Sequence, residues 1–303
     1  MAMLAREYLH PGRGIFWMLL AGFNFVAVTA IVKHVGAGVP APEAAFLRYL
    51  LGLVFFIPMF GPMVRAGLSR RLLILFSARG AAHALGVIFW FYAMTQIPIA
   101  EVTAMNYLNP VYVTIGAALF MGEKLHRPRI IAICVALVGV VIILRPGFRE
   151  ISPGHLAMLL TAMFFGISYL LAGFLSGEVR PSAVVALLSV SVTIGLAPVA
   201  AAVWVTPTLT QLAWLFLVAA FATAGHYAMT RAFAAAPMTV TQPVTFLQLI
   251  WATLLGWLVF GEALDAWVIL GGGLILGSVT FITWREAMRK RRAVTPPPEA
   301  TKF

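Results

Sequence analysis

Residues 98–125, PIAEVTAMNYLNPVYVTIGAALFMGEKL, occur a second time at 237–264 as PMTVTQPVTFLQLIWATLLGWLVFGEAL, without a gap and at a constant offset of 139. Pro98, Leu108, Thr114, Leu119, Gly122, Glu123 and Leu125 meet Pro237, Leu247, Thr253, Leu258, Gly261, Glu262 and Leu264, which is 7 identities in 28 positions. Tyr107/Phe246, Asn109/Gln248 and Tyr112/Trp251 are close replacements. Further echoes flank the block: MLL at 18–20 recurs at 158–160, and Pro42 is matched by Pro181. The chain is therefore two copies of one unit, and whatever fold it adopts must be built from that unit twice.

The solvent for that unit is lipid. Hydrophobic residues make up 62% of the chain and charged residues 10%, with a mean hydropathy of +0.97; a water-facing surface needs roughly 25% charged residues. Ten apolar runs of spanning length can be marked, at about 14–33, 42–62, 72–96, 99–121, 128–145, 154–175, 181–204, 210–232, 237–260 and 266–284. Runs of this length predict helices rather than a barrel, because a helix satisfies its own backbone in hydrocarbon. The connectors leave no room for soluble domains. Cys134 is the single cysteine, so no intrachain disulfide can form. Residues 1–13 lack the short apolar core and cleavage site of a signal peptide.

Charge sets the orientation. The net charge of +11 points to membrane topology rather than to nucleic acid, because the basic residues sit at the ends of the runs. Of the 21 basic residues, Lys33, Arg145 and Arg149 fall on one side and Arg48 and Arg79 inside runs; the other 16 gather on the side of the N-terminus. This bias predicts cytoplasmic N- and C-termini in a multi-pass protein of the cytoplasmic (inner) membrane. Five runs per copy is an odd number, so the second copy enters the bilayer upside down relative to the first. The expected architecture is all-α, with ten transmembrane helices as two inverted five-helix repeats. The expected division is a cytoplasmic N-terminus (1–13), a first repeat (14–147), a second repeat (148–284) and a basic, Pro-rich, solvated cytoplasmic tail (285–303).

The blocks AFLRYLLG (45–52), PVYVTIGAALFMGEKL (110–125), LVGVVIILRPG (137–147) and QLIWATLLGWLVFGEALDAW (248–267) carry a resemblance that covers essentially the whole chain. They resemble the drug/metabolite transporter superfamily in its ten-helix EamA-type branch. The last block is similar to the subgroup that includes S-adenosylmethionine-type and riboflavin-type uptake proteins. The resemblance implies a secondary transporter with a central cavity between its two halves.

Within the repeat, polar residues recur at a spacing that can serve such a cavity. Thr103, Asn106, Asn109 and Tyr112 step by three, and the second copy has Gln242, Thr245, Gln248 and Trp251 at the same offsets. Steps of three drift about 60° each on a helix, so the polar members span about a third of its circumference. They line a cavity or serve as interhelical glue; that both copies end in an aromatic residue favours the cavity. Arg48, whose counterpart is Leu187, must face protein or water; a substrate carboxylate, Glu43 and Glu101 are its candidate partners, and snorkelling is the alternative. Arg79, His83 and Trp90 fall on roughly one face of the third run, and the eighth carries His226, Tyr227 and Thr230. Neutral histidine at mid-span can hydrogen-bond or move a proton, and equally can be a satisfied core residue. Glu101 is the one carboxylate well inside a run. It is a candidate for ion coupling or simply a first-turn residue favoured by the helix dipole. Glu123 and Glu262, after glycine, are candidate gate positions or structural ends. Pro110 and Pro243 are expected to interrupt their helices at different depths, and Gly273 with Gly277 to form a close-packing face.

No metal-ligand cluster, P-loop, HExxH or GxSxG motif occurs, and no cofactor is expected. The reading is a non-enzymatic transporter of a small organic metabolite, working by alternating access and leaning to uptake of an aromatic or heterocyclic nutrient of the riboflavin or S-adenosylmethionine kind. The alternatives are an exporter of amino acids or drugs and, from another class, a polytopic membrane enzyme using His83 and Arg79. The partners implied are a small-molecule metabolite and the lipid bilayer, with no nucleic acid; self-association as a homodimer is left open.

Overall fold

The computed structural model describes residues 11–57, 69–120, 122, 126–175, 181–236, 240–241 and 244–294. The N-terminal ten residues, Glu123, Gln242, Pro243 and the last nine residues lie outside that set. Eleven helices carry the described chain: α1 (Pro11–Val35), α2 (Ala41–Gly52), α3 (Arg70–Gln96), α4 (Ile99–Asn106), α5 (Asn109–Phe120), α6 (Arg127–Leu144), α7 (Pro153–Leu175), α8 (Pro181–Ala202), α9 (Leu209–Ala235), α10 (Phe246–Phe260) and α11 (Ala266–Val294). Seven of them, α1, α3, α6, α7, α8, α9 and α11, are long and apolar enough to cross a bilayer alone. The second, fourth and ninth apolar runs are carried by α2, by α4 with α5, and by α10. The protein is an all-helical, multi-pass membrane protein.

The duplication is visible in the helix boundaries. Shifting α3 by 139 residues lands on α9 at both ends, and the start of α6 lands on the start of α11. It is also visible in the packing. α1 lies along α9 as α7 lies along α3; α3 packs on α8 as α9 packs on α2; α5 packs on α7 as α10 packs on α1. The α2·α8 and α6·α11 pairs map onto themselves. Exchanging the halves maps these pairs onto one another, as a twofold relation between the halves requires. With five spans per half the axis lies in the membrane plane, the inverted-repeat plan.

The fourth run is broken beside its proline. α4 ends at Asn106, and Tyr107 and Leu108 form a turn tightened by i→i+3 bonds (Tyr107 N to Ala104 O, 3.3 Å; Leu108 N to Met105 O, 3.1 Å). Pro110 removes the N–H that Asn106 O would accept. In the second copy Thr245 is a turn residue, and the expectation for Pro243 falls outside the described residues. Both runs close with glycine in the left-handed region, Gly122 at φ 67° and Gly261 at φ 64°, where a Cβ would be strained.

Two expectations are corrected. The close-packed glycines of the last helix are Gly271 and Gly272, not Gly273 and Gly277. A Cβ on Gly271 would sit 2.5 Å from the Gly139 carbonyl oxygen, and one on Gly139 would sit 2.6 Å from the Gly271 carbonyl, while Gly277 has open space. Gly277 lies six residues beyond Gly271, about 120° away from the α6-facing side of the helix. The basic tail is also not wholly irregular, since α11 continues to Val294. Glu286, Ala287, Met288, Arg289 and Lys290 are good helix formers, and no breaker intervenes before Pro296.

Gly139→Val or Gly271→Val is therefore expected to lower stability by about 1–3 kcal/mol through overpacking. Gly277→Val is expected to be neutral. Melting temperatures of the three variants in detergent check this.

Candidate substrate site

At the middle of α3, equidistant from its ends, His83 is held from both sides. Its Nδ1 meets Ser168 Oγ of α7 at 3.2 Å and its Nε2 meets the Tyr49 hydroxyl of α2 at 3.0 Å. Its ring stacks on Phe165 at 4.7 Å between centroids. The other edge of the same platform is Arg48, whose guanidinium carbon lies 4.0 Å above the centre of the Tyr49 ring, a cation–π contact. Trp90 meets Phe165 edge-on at 6.1 Å. Arg79, Arg48 and His226 all lie within electrostatic reach of the His83 ring. Residues from α2, α3, α7 and α9 thus converge at mid-membrane depth. Tyr49, Phe165, Ser168 and Tyr169 were not legible as members, since their partners lie 34 and 85 residues away in sequence.

This convergence surrounds open space. On α7, Tyr169 sits about 40° round the helix from Phe165, within the packed sector and far from the lipid-facing Leu156, Leu160 and Ile167. A residue there would normally be covered, yet Tyr169 is 43% exposed. His226 repeats the pattern on α9, half-buried among the packed Ala219, Ala222 and Gly225. Both therefore border an internal opening. Beside it Arg79 is only 6% exposed, and its Nε and Nη1 have no hydrogen-bond partner among the described residues; it does not snorkel.

The repeated polar stripe is split by the drift of its spacing. Asn109, buried, donates Nδ2–H to Asn106 Oδ1 at 3.0 Å, while its own Oδ1 is unpartnered. Thr103 is buried, Tyr112 packs against Gly166 of α7, and Gln248 packs against Gly22 of α1. Trp251 is 46% exposed, on the side of α10 away from the packed Leu249, Ala252, Thr253 and Gly256. Thr245 and Tyr107 join the two broken runs: the Tyr107 hydroxyl donates to the Thr245 carbonyl at 2.7 Å. Tyr227 faces outward, 56% exposed, with Trp17 edge-on and Arg231 Nη1 donating to its hydroxyl at 3.1 Å. It stands apart from the His83 cluster. Trp90 Nε1 is buried without a partner.

Glu101 lies elsewhere, on the face where α1, α3, α6 and α10 end and α4, α7 and α11 begin. It is 3% exposed, and both of its oxygens accept from Arg149 at 2.8 Å. His155 Nδ1 accepts from the Ser152 backbone N–H at 3.0 Å, which leaves Nε2 as the donor to Glu101 Oε2 at 2.5 Å. The carboxylate hydrogen bonds push the Arg149 guanidinium further above its ordinary value. On the same face Lys33 pairs with Glu262, Arg145 with Asp265, and Glu43 Oε2 accepts from Val205 N at 2.8 Å. Among the described residues no group of three or more His, Cys, Asp or Glu could hold a metal ion.

The model of the EamA-like transporter family matches residues 12–145 and again 152–284. The chain belongs to the EamA-like transporter family. It is 33% identical over 285 residues to a riboflavin transporter of Rhizobium johnstonii, covering 92% of this chain and 93% of that protein. It is 28% identical over 267 residues to a pseudopaline exporter of Pseudomonas aeruginosa, covering 87% and 93%. An S-adenosylmethionine uptake transporter of Rickettsia conorii is 25% identical over 280 residues, covering 92% and 95%. Membership makes this a membrane transporter for a small molecule, and the internal opening between its halves is the candidate site.

Because Glu101 is buried with both oxygens committed, Glu101→Gln is expected to cost about 3 kcal/mol. Arg149→Gln added to it is expected to cost little more. A double-mutant cycle on thermal unfolding in detergent measures the coupling.

Proposed function

We propose that the chain is a secondary transporter, and not an enzyme, that moves an aromatic or heterocyclic metabolite through the opening bordered by His83, Tyr169 and His226. The observation that carries this is the pair of residues, Tyr169 and His226, that stay open on the packed faces of their helices. Tyr49, Phe165 and Trp90 beside them supply flat surfaces for a ring, and Asn106, Asn109 and Gln248 supply amides. The riboflavin and S-adenosylmethionine relatives support a ring-bearing nutrient taken up into the cell. The polar stripe of the fourth and ninth runs forms the wall contributed by the two copies, with one half rocking against its inverted partner. The excess of basic residues on the Arg231 side supports a cytoplasmic N- and C-terminus in the inner membrane, which makes the Glu101 face the outer one. Glu101 has its oxygens committed to Arg149 and His155, so its part in the cycle is to hold that face rather than to carry protons.

Uptake and counterflow by purified protein in liposomes, across flavins, S-adenosylmethionine and amino acids, test the reading. Asn109→Leu and Gln248→Leu are each expected to reduce transport at least tenfold in protein that still reaches the membrane. Unaltered affinity and rate in both variants would remove the stripe from the site. A pH gradient is expected to leave uptake by Glu101→Gln no less responsive than wild type.

A further inference from the structure

The site described above contains cations without counter-ions. Arg48 and Arg79 are 8% and 6% exposed, deep between helices, where a guanidinium must pair or face water. Neither makes an ion pair among the described residues, and two nitrogens of Arg79 have no hydrogen-bond partner among them. The cations that reach His83 are Arg79 and Arg48. Both described carboxylates that are buried lie at the Glu101 face. Glu101 is bound by Arg149 and His155. Glu43 sits five residues before Arg48, about 7.5 Å along the helix axis, and turns one oxygen to Val205 N.

Two buried positive charges with no carboxylate paired to them among the described residues are costly in low dielectric. A solute that brings its own negative charge removes that cost on binding, whereas a cation adds to it. Resting on the transporter reading above, we infer that this site selects a solute with an aromatic ring and an anionic group, carboxylate or phosphate. The ring lies among Tyr49, Phe165 and Trp90, and the anion meets Arg79 and Arg48 beside Tyr169. A guanidinium that offers two parallel N–H groups matches the oxygens of either anion. The same arrangement disfavours S-adenosylmethionine, whose sulfonium adds positive charge.

The test is competition and counterflow in liposomes with matched pairs: riboflavin and its 5′-phosphate, nicotinamide and nicotinate, tryptophanamide and indole-3-acetate, with S-adenosylmethionine as the cation. At least one anionic member is expected to bind tenfold or more tightly than its neutral partner; which pair responds separates phosphate from carboxylate. Arg79→Gln and Arg48→Gln are each expected to erase that ratio, and Arg79→Lys to restore part of it. A second readout does not depend on transport. Arg79→Gln is expected to leave unchanged or raise the melting temperature of the ligand-free protein, because it removes an uncompensated charge; a structural ion pair would give a fall. Transport of neutral or cationic members with no preference for the anion, or a preference that survives both arginine substitutions, overturns the inference and leaves the transporter reading intact. No transport of any member overturns both.

Discussion

Hydrocarbon cannot satisfy a polar group, so every buried donor, acceptor or charge in this protein must find a partner in the chain or border a cavity. At the Glu101 face Glu101 is met by Arg149 and His155, Lys33 by Glu262 and Arg145 by Asp265, while Glu43 Oε1 and Arg145 Nε keep no hydrogen-bond partner among the described residues. At mid-depth Arg79, Asn109 and Trp90 keep atoms unpartnered. The first set holds the helix ends together. The second marks where the protein has left room for something else, and it is there that Tyr169 and His226 remain open.

The duplication explains why the scaffold is so regular, and its exceptions explain the site. Arg48, Tyr49, Arg79 and His83 stand opposite Leu187, Leu188, Val218 and Ala222 in the second copy, and His226 stands opposite Val87. Each counterpart is an ordinary core residue. Because the two halves pack by a twofold rule, those apolar counterparts complete the same helix interfaces without contributing charge. The unit supplies the architecture twice, and five substitutions confined to single copies supply the chemistry once. The breaks at Asn106 and Thr245 show the same division. The turn is shared, but only the first copy has a hydroxyl, on Tyr107, to tie one break to the other.

Much of the scaffold was readable from residues alone. Spanning length and the offset of 139 set the order of helices, and α3 and α9 agree with that offset at both ends. What failed was rotation about an axis. A step of three looks like a stripe over two residues, yet over the six residues from Thr245 to Trp251 it turns by about 120°, so Trp251 ends away from Thr245 on the helix surface. The contacts of His83 with Tyr49 and Ser168 had no local signal, because helices α2 and α7 reach it only through packing. Arg149 was placed in a loop by its hydrophilicity, and nothing nearby in sequence indicates that it turns back to Glu101, 48 residues earlier.

The ties at the Glu101 face also constrain how the site is reached. Lys33, Glu101 and Arg145 come from the first matched segment, and Glu262, His155 and Asp265 from the second. Every one of these ion pairs therefore joins the two halves, and opening that face requires all of them to separate. The side chains of the Lys33–Glu262 and Arg145–Asp265 pairs are 11–26% exposed, so water screens them only in part. Glu101 and His155 are almost wholly covered, and separating them first requires water to enter. On the Arg231 face Arg231 meets the aromatic rings of Trp17 and Tyr227, contacts that are weaker and less directional than a buried ion pair. Of the described ion pairs across the two matched segments, the Glu101–His155 contact is thus the one most shielded from water.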